Sequence, residues 1–252
     1  MFSETGLYHI VFRGVNHCQL FEEQSDYEKF LVLLDRTKTE LGFEIYAYAL
    51  MSNHVHLLIK ENTTGHIVTA MRKTLTPYAI WFNKKYGRSG ALIANRYKSE
   101  PVTTDAYLLA LVRYIHRNPL EAGLVTKLDA YRWSSYCDYI IGRSVFVDID
   151  LVLGMLCPNR AEATTQFIKL HVNTTTEPGI GLVDSARRKD DQVRGDLATH
   201  YVGLTPNAVN GLPKLERNAV LAFLRGRGYS IRQIERVTGV PRGIVSRVPP
   251  ET

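Results

Sequence analysis

The sequence predicts an α+β protein: a ferredoxin-like βαββαβ sheet with one added helix, followed by a small all-α helix-turn-helix region. Three observations carry this. β-rich and amphipathic runs succeed one another as β-α-β-β-α-β-α over the first half of the chain. The second and third β runs are separated only by Ser52-Asn53, which makes them an antiparallel hairpin. Beyond residue 212 the chain changes to short basic helices around a Gly-containing turn. The expected division is a core domain over 1–142, a helical accessory segment and linker over 143–211, and the helix-turn-helix region over 212–252.

Tyr8 to Val15 is β-rich and ends at Gly/Asn signals, so it reads as a strand. Ser25 or Asp26 is the expected cap of a helix running to Leu41. Its apolar residues Phe30, Leu31, Leu33, Leu34 and Leu41 follow helical periodicity, and Gly42 supplies the stop. Glu44–Leu50 and His54–Ile59 form the hairpin. Thr64 to Tyr86 is a basic helix with a kink or break expected at Pro77. A strand lies within Ala91–Val102. Thr104 or Asp105 caps a helix from Ala106 to Asn118, which is expected to end there because Pro119 follows. Asp148–Val172 reads as two helical pieces split at Pro158-Asn159, and Asn173–Gly179 as a linker. Leu215–Leu224 and Ser230–Val237 are helices. Thr238-Gly239-Val240 is a turn, and Pro241–Val248 is a short basic helix opening on a proline.

The chain has 252 residues, 45% of them hydrophobic, which is enough for a substantial core and argues against wholesale disorder. No run approaches the ~20 apolar residues of a membrane span, so no membrane partner is expected. Met1 to Gly6 has no signal-peptide pattern. The three cysteines, Cys18, Cys137 and Cys157, are scattered and odd in number. They suit a reducing cytoplasmic setting rather than a disulfide framework. The net charge is +6 and unevenly spread. No acidic residue lies between Glu61 and Glu100, whereas Arg72, Lys73, Lys84, Lys85, Arg88, Arg96 and Lys98 do. A second basic block runs from Lys214 to Arg247. Two such blocks, the second on a helix-turn-helix pattern, point to a nucleic-acid partner.

The chemistry centres on His54-Val55-His56. On a strand, residues i and i+2 share a face, so both imidazoles lean the same way and can close on one metal ion. On the helix ending at Asn118, Leu108, Leu111, Val112 and Ile115 form the apolar stripe, and Tyr114 and Asn118 lie one turn apart on its shoulder. His54, His56 and the Asn118 carbonyl oxygen would make a mixed N/O set with open positions. Such a set suits Mg²⁺ or Mn²⁺, with zinc an alternative. A cation there would polarise a phosphodiester, and the Tyr114 hydroxyl could attack the phosphorus. Tyr107 shares the helix face but lies roughly 16 Å along the axis from Asn118, a poor place for a nucleophile. Glu121 would be a stronger oxygen ligand if the helix continued through Pro119.

These residues resemble the HUH-type single-tyrosine transposases, and among them the REP-associated tyrosine transposase branch of bacteria. The matching pieces are Tyr8–Arg13, Met51–His56, Asn95–Ser99, Tyr114–Val125 and Trp133–Tyr136, within about residues 6–140. The resemblance implies that residues 1–142 are a catalytic domain for strand-specific cutting and joining of single-stranded DNA. It implies Tyr114 as nucleophile, His54, His56 and Asn118 as metal ligands, and a 5′-phosphotyrosine with a free 3′-hydroxyl. The implied substrates are hairpin-forming, repeated extragenic elements. A homodimer is compatible with the family, in which the tyrosine helix is exchanged between subunits in some members and not in others. DNA contacts are expected from Arg96 and Lys98, from Arg72, Lys73 and Arg13, and from Arg232, Arg242 and Arg247 of the second block. Two competing readings use the same basic surface: a non-catalytic, sequence-specific DNA-binding regulator, and a rolling-circle-type initiator.

Overall fold

The protein is described by a computed structural model covering residues 3–94, 96–172 and 193–251. It divides into two compact units, Met1–Ile180 and Gly181–Thr252. The expected linker Asn173–Gly179 lies outside the described residues, as does Asn95.

The first unit is built on four antiparallel strands, β1 (Leu7–Arg13), β2 (Glu44–Met51), β3 (His54–Lys60) and β4 (Lys98–Pro101), in the order β2-β3-β1-β4. With α1 (Gln24–Leu41) and α2 (His66–Lys85) in the two crossovers, this is the split βαββαβ arrangement, and the α+β expectation is borne out. Cross-strand partners share a face of the sheet. The pairings Val11↔His56, Arg13↔His54, Val11↔Lys98 and His9↔Glu100 therefore put His9, Arg13, His54, His56 and Lys98 on one face. Ile10, Phe12, Val55, Leu57 and Ser99 take the other. That second face carries α1 and α2. Phe12 packs on Phe30 of α1 with ring centroids 5.8 Å apart, and Phe30 meets Tyr78 of α2 at 5.3 Å.

The histidine face is covered by α3 (Asp105–Glu121). Ala47 and Ala49 of β2 lie on this face, paired with Leu58 and His56, and their small side chains let the helix approach the sheet. Thr104 caps α3, its hydroxyl accepting from the Tyr107 N–H. Three further helices follow: α4 (Tyr136–Ile141), α5 (Asp150–Leu156) and α6 (Arg160–Val172).

Several boundaries differ from expectation. α1 begins at Gln24, and Asp26 is not its cap but sits in the first turn. Its carboxylate reaches back to accept the N–H groups of Glu22 (2.7 Å) and Glu23 (3.0 Å). α2 is a single helix through Pro77. α3 does not stop at Asn118 but runs through Pro119 to Glu121. The proline removes only its own N–H, and the chain leaves the helix at Gly123, whose φ of +70° is the left-handed conformation glycine adopts readily.

The second unit packs Val193, Leu197, Val209, Val220, Leu221, Leu224, Ile234, Val237, Val240, Val245 and Val248 into a small core of its own. It comprises a helical run over 193–200, then α7 (Lys214–Gly226), α8 (Ile231–Thr238) and α9 (Arg242–Val245). Ser230 and Gln233 form a capping box at the start of α8, and Gly239 at φ +70° ends it. α9 is shorter than the expected Pro241–Val248 helix. Its end is closed by Arg225 of α7, whose guanidinium donates to the carbonyls of Val245, Ser246 and Val248.

Candidate active site

The hairpin turn Ser52-Asn53 starts β3 on His54, and alternation along the strand brings His56 to the same side. The two imidazoles have centroids 5.1 Å apart and planes at 83°. His54 is 3% exposed and His56 fully buried. Each is backed by a polar neighbour. The Asn53 Oδ1 lies 2.7 Å from His54 Nδ1. An amide oxygen only accepts, so Nδ1 carries the proton and the other ring nitrogen, Nε2, is the electron-pair donor of the neutral ring. The Nδ1 of His56 lies 3.0 Å from Nε2 of His9, and those two rings stack.

Burial holds the His56 imidazole well below its ordinary pKa, and the charges of His9, His54 and Arg13 add to the effect. His56 is therefore neutral near pH 7, the form in which imidazole binds a metal. Its Nε2 is buried and has no hydrogen-bond partner among the described residues, an arrangement that fits a ligand to a cation. Among the described residues no three His, Cys, Asp or Glu side chains group as a metal site. The histidine pair would need a ligand of another kind, the role expected of Asn118. Asn118 is 6% exposed, and its amide nitrogen donates to the Tyr114 carbonyl at 2.9 Å, which leaves the amide oxygen as the acceptor end.

Tyr114 comes from α3 of the same chain. Its ring is 7% exposed and stands perpendicular to both imidazoles, with centroids 5.5 Å from His56 and 6.2 Å from His9. The structure thus brings Tyr114, His54 and His56 together, with Asn118 one turn along the tyrosine helix. Of the rivals, Glu121 lies in α3 as the continued helix allows, but it is exposed and paired with Arg117 at 3.5 Å. Burial raises the Tyr107 hydroxyl to about 12, against nucleophilic use.

His9 was missed in the sequence. Its only signal was parity: it has the same odd numbering as Val11 and Arg13, and the β1–β3 register is needed before that places it beside His56.

The basic residues fall into separate places. Arg13 and Lys98 are on the histidine face of the sheet. Arg72 and Arg96 line a groove of about 840 Å³ between α2 and the segment leading into β4, on the α1/α2 side. Lys73 is engaged with Glu40 of α1. In the second unit Arg232 and Arg247 are exposed, and Arg242 pairs with Glu235 at 3.1 Å.

A sheet-borne histidine pair faced by a helix-borne tyrosine is the arrangement that the sequence's resemblance to single-tyrosine transposases implies. Residues 3–118 match the family described as "Transposase IS200 like". The match ends on Asn118 and so takes in His54, His56 and Tyr114. No curated protein matches the chain. A solved structure of a REP-associated tyrosine transposase bound to a REP hairpin is 16% identical, with 60% of this chain and 87% of that one covered and a TM-score of 0.49. A second, from Deinococcus radiodurans and described as a transposase, is 18% identical, covering 44% of this chain and 88% of that one with a TM-score of 0.34. No helix among the described residues is long and apolar enough to cross a membrane.

Proposed function

We propose that this transposase nicks and rejoins single-stranded DNA through Tyr114. The observation that carries the reading is the packing of the Tyr114 ring against His56 within one chain. His54 and His56, with Asn118 as third ligand, would hold Mg²⁺ or Mn²⁺. Such a cation supplies charge stabilisation to a phosphodiester when bound. The Tyr114 oxygen attacks the phosphorus. An O–P bond forms to the tyrosine and the bond from phosphorus to the 3′-oxygen breaks. The phenolic proton is lost, and the departing oxygen takes one up as a free 3′-hydroxyl. The 5′-phosphotyrosine keeps the bond energy, so attack by a 3′-hydroxyl reverses the step and joins a strand.

Hairpin-forming repeated elements are the substrates this reading favours. Support comes from the resemblance of Met51–His56 and Tyr114–Val125 to the REP-associated branch. Arg13 and Lys98 are suited to phosphates beside the site, and Arg72 and Arg96 to phosphates across the α2 groove. Arg232, Arg242 and Arg247 would add affinity through the helix-turn-helix unit.

The test is incubation of wild type and Tyr114→Phe with 5′- and 3′-labelled single-stranded hairpin DNA from the gene's own flanks, with Mg²⁺ or Mn²⁺. A covalent adduct from wild type alone is expected. Tight hairpin binding by both proteins, with no adduct from either, would replace this reading with that of a DNA-binding regulator.

A further inference from the structure

The side of α3 turned away from Tyr114 carries a second buried histidine pair outside the catalytic constellation. His116 lies in α3 and His171 in α6; they are 1% and 0% exposed. The hydrogen bonds around them run in one direction. His171 Nδ1 is 2.8 Å from the Phe167 carbonyl, which can only accept, so Nδ1 carries the proton and Nε2 is an acceptor. His116 Nδ1, 3.1 Å away, donates to that Nε2. His116 Nε2 then accepts from the Ser135 hydroxyl at 2.7 Å. Ser135 Oγ in turn accepts the Tyr48 N–H of β2 at 2.9 Å. A continuous chain thus runs from the sheet, through the tyrosine helix, to α6. Arg117 makes a second tie, donating to the His171 carbonyl at 2.7 Å. The rings of Tyr136, Tyr139 and Phe167 enclose the pair.

His116 is two residues from both Tyr114 and Asn118, about 200° round the helix from each. A rotation of α3 that took His116 away from His171 would also carry Tyr114 away from His56. A purely apolar contact would tolerate some rotation, because apolar packing has little directional preference. A hydrogen-bonded ring pair anchored at both ends tolerates much less.

We propose that His171 is a positioning residue for strand cleavage, fixing the rotational setting of α3 through His116 and Arg117 and so seating Tyr114 against His56. This rests on the tyrosine reading above. α6 lies beyond residues 3–118, the stretch that the family match covers.

The test uses the full chain with His171→Leu, His171→Gln and Arg117→Met, and the same labelled hairpin DNA. Three quantities are read: single-turnover adduct formation, hairpin affinity and thermal midpoint. His171→Leu is expected to slow adduct formation roughly a hundredfold, the scale set by ångström-level misplacement, with hairpin affinity within about twofold of wild type. His171→Gln, whose amide oxygen can accept from His116, is expected to recover most of that loss. If His171→Leu does not fold, Arg117→Met carries the test, with adduct formation slowed about tenfold at unchanged hairpin affinity and thermal midpoint. Wild-type adduct rates in the folded variants would overturn the proposal. So would losses that merely follow the thermal midpoint with no recovery by Gln. A wild type that forms no adduct removes the tyrosine reading and this inference with it. Wild-type adduct with unchanged variant rates removes this inference alone.

Discussion

His9 Nε2 lies 3.0 Å from His56 Nδ1, and the two stacked rings, 5.2 Å between centroids, join β1 to β3 at the centre of the histidine face. Asn53 stands in the same relation to His54. Each candidate ligand is therefore held by a neighbour on its inner nitrogen, the arrangement that fixes ring orientation and tautomer around bound metals.

Removing that support should weaken metal binding without unfolding the sheet. His9→Phe keeps an aromatic ring in a site only 2% exposed but cannot hydrogen-bond to His56. Its Mn²⁺ affinity should fall about 10- to 100-fold. Titration calorimetry with Mn²⁺ in the absence of DNA measures this, with circular dichroism as the check on folding. An affinity equal to wild type would mean that His9 serves packing alone.

The hairpin tip depends on a close approach at Gly14. Its N–H donates to the Asn53 carbonyl at 2.9 Å, and a Cβ there would stand 2.1 Å from the Cys18 carbonyl oxygen. Both atoms are backbone, so the 14–18 turn would have to move, and with it the residue that holds His54. Gly14→Ala should lower stability by about 1–3 kcal/mol, as overpacking does elsewhere, and weaken Mn²⁺ binding as well. Denaturant midpoints and the same calorimetry decide; wild-type values in both would show that the turn yields easily.

How much of this was legible in the sequence differs by residue. The βαββαβ order and the hairpin followed from period-2 and helical patterns plus one turn, and those are local signals. His54 and His56 needed only alternation. Tyr114 needed helical spacing and the family pattern. His9 required the register between β1 and β3, which no local pattern encodes. The His116–Ser135–His171 chain joins residues up to 55 apart in sequence, each unremarkable alone. The expected end of α3 at Asn118 went wrong because the pre-proline rule weighs local backbone preference. The lost N–H of Pro119 removes a single helical bond, and the buried face of α3, from Leu108 to Pro119, outweighs it.

Acid should loosen the α3–α6 contact. Burial depresses the His171 pKa to about 4, with Arg113 and Arg117 acting in the same direction and the bond to Phe167 opposing them. The unfolded ring titrates near 6.5, so between those values the unfolded state binds the extra proton, and stability falls as pH falls. The contribution is intact above pH 6.5 and, at 1.36 kcal/mol per unit, about 3 kcal/mol is lost by pH 4. Urea midpoints across that window should decline in wild type and decline less in His171→Leu. Parallel curves for the two proteins would assign the acid sensitivity to other groups.

The second unit offers a prediction that separates electrostatic anchoring from structural roles. Arg225 is committed to the carbonyls that end α9, and Arg242 is paired with Glu235. Arg232 and Arg247 are exposed on the same unit and are the better placed to meet phosphate. Each phosphate contact releases condensed counterion and contributes about 0.9 to the slope of log affinity against log salt on duplex DNA. Arg232→Ala with Arg247→Ala should therefore reduce that slope by nearly two and weaken binding alike across sequences. Tyr114-dependent adduct formation at low salt should be retained, because those residues lie outside the unit that holds the tyrosine. Arg225→Ala should instead lower the unfolding midpoint of the second unit, because the carbonyls of Val245, Ser246 and Val248 each lose the guanidinium as a donor. Fluorescence anisotropy over a salt series reads the first effect and thermal unfolding the second. An unchanged salt slope in the double variant would remove Arg232 and Arg247 from the DNA-contacting surface.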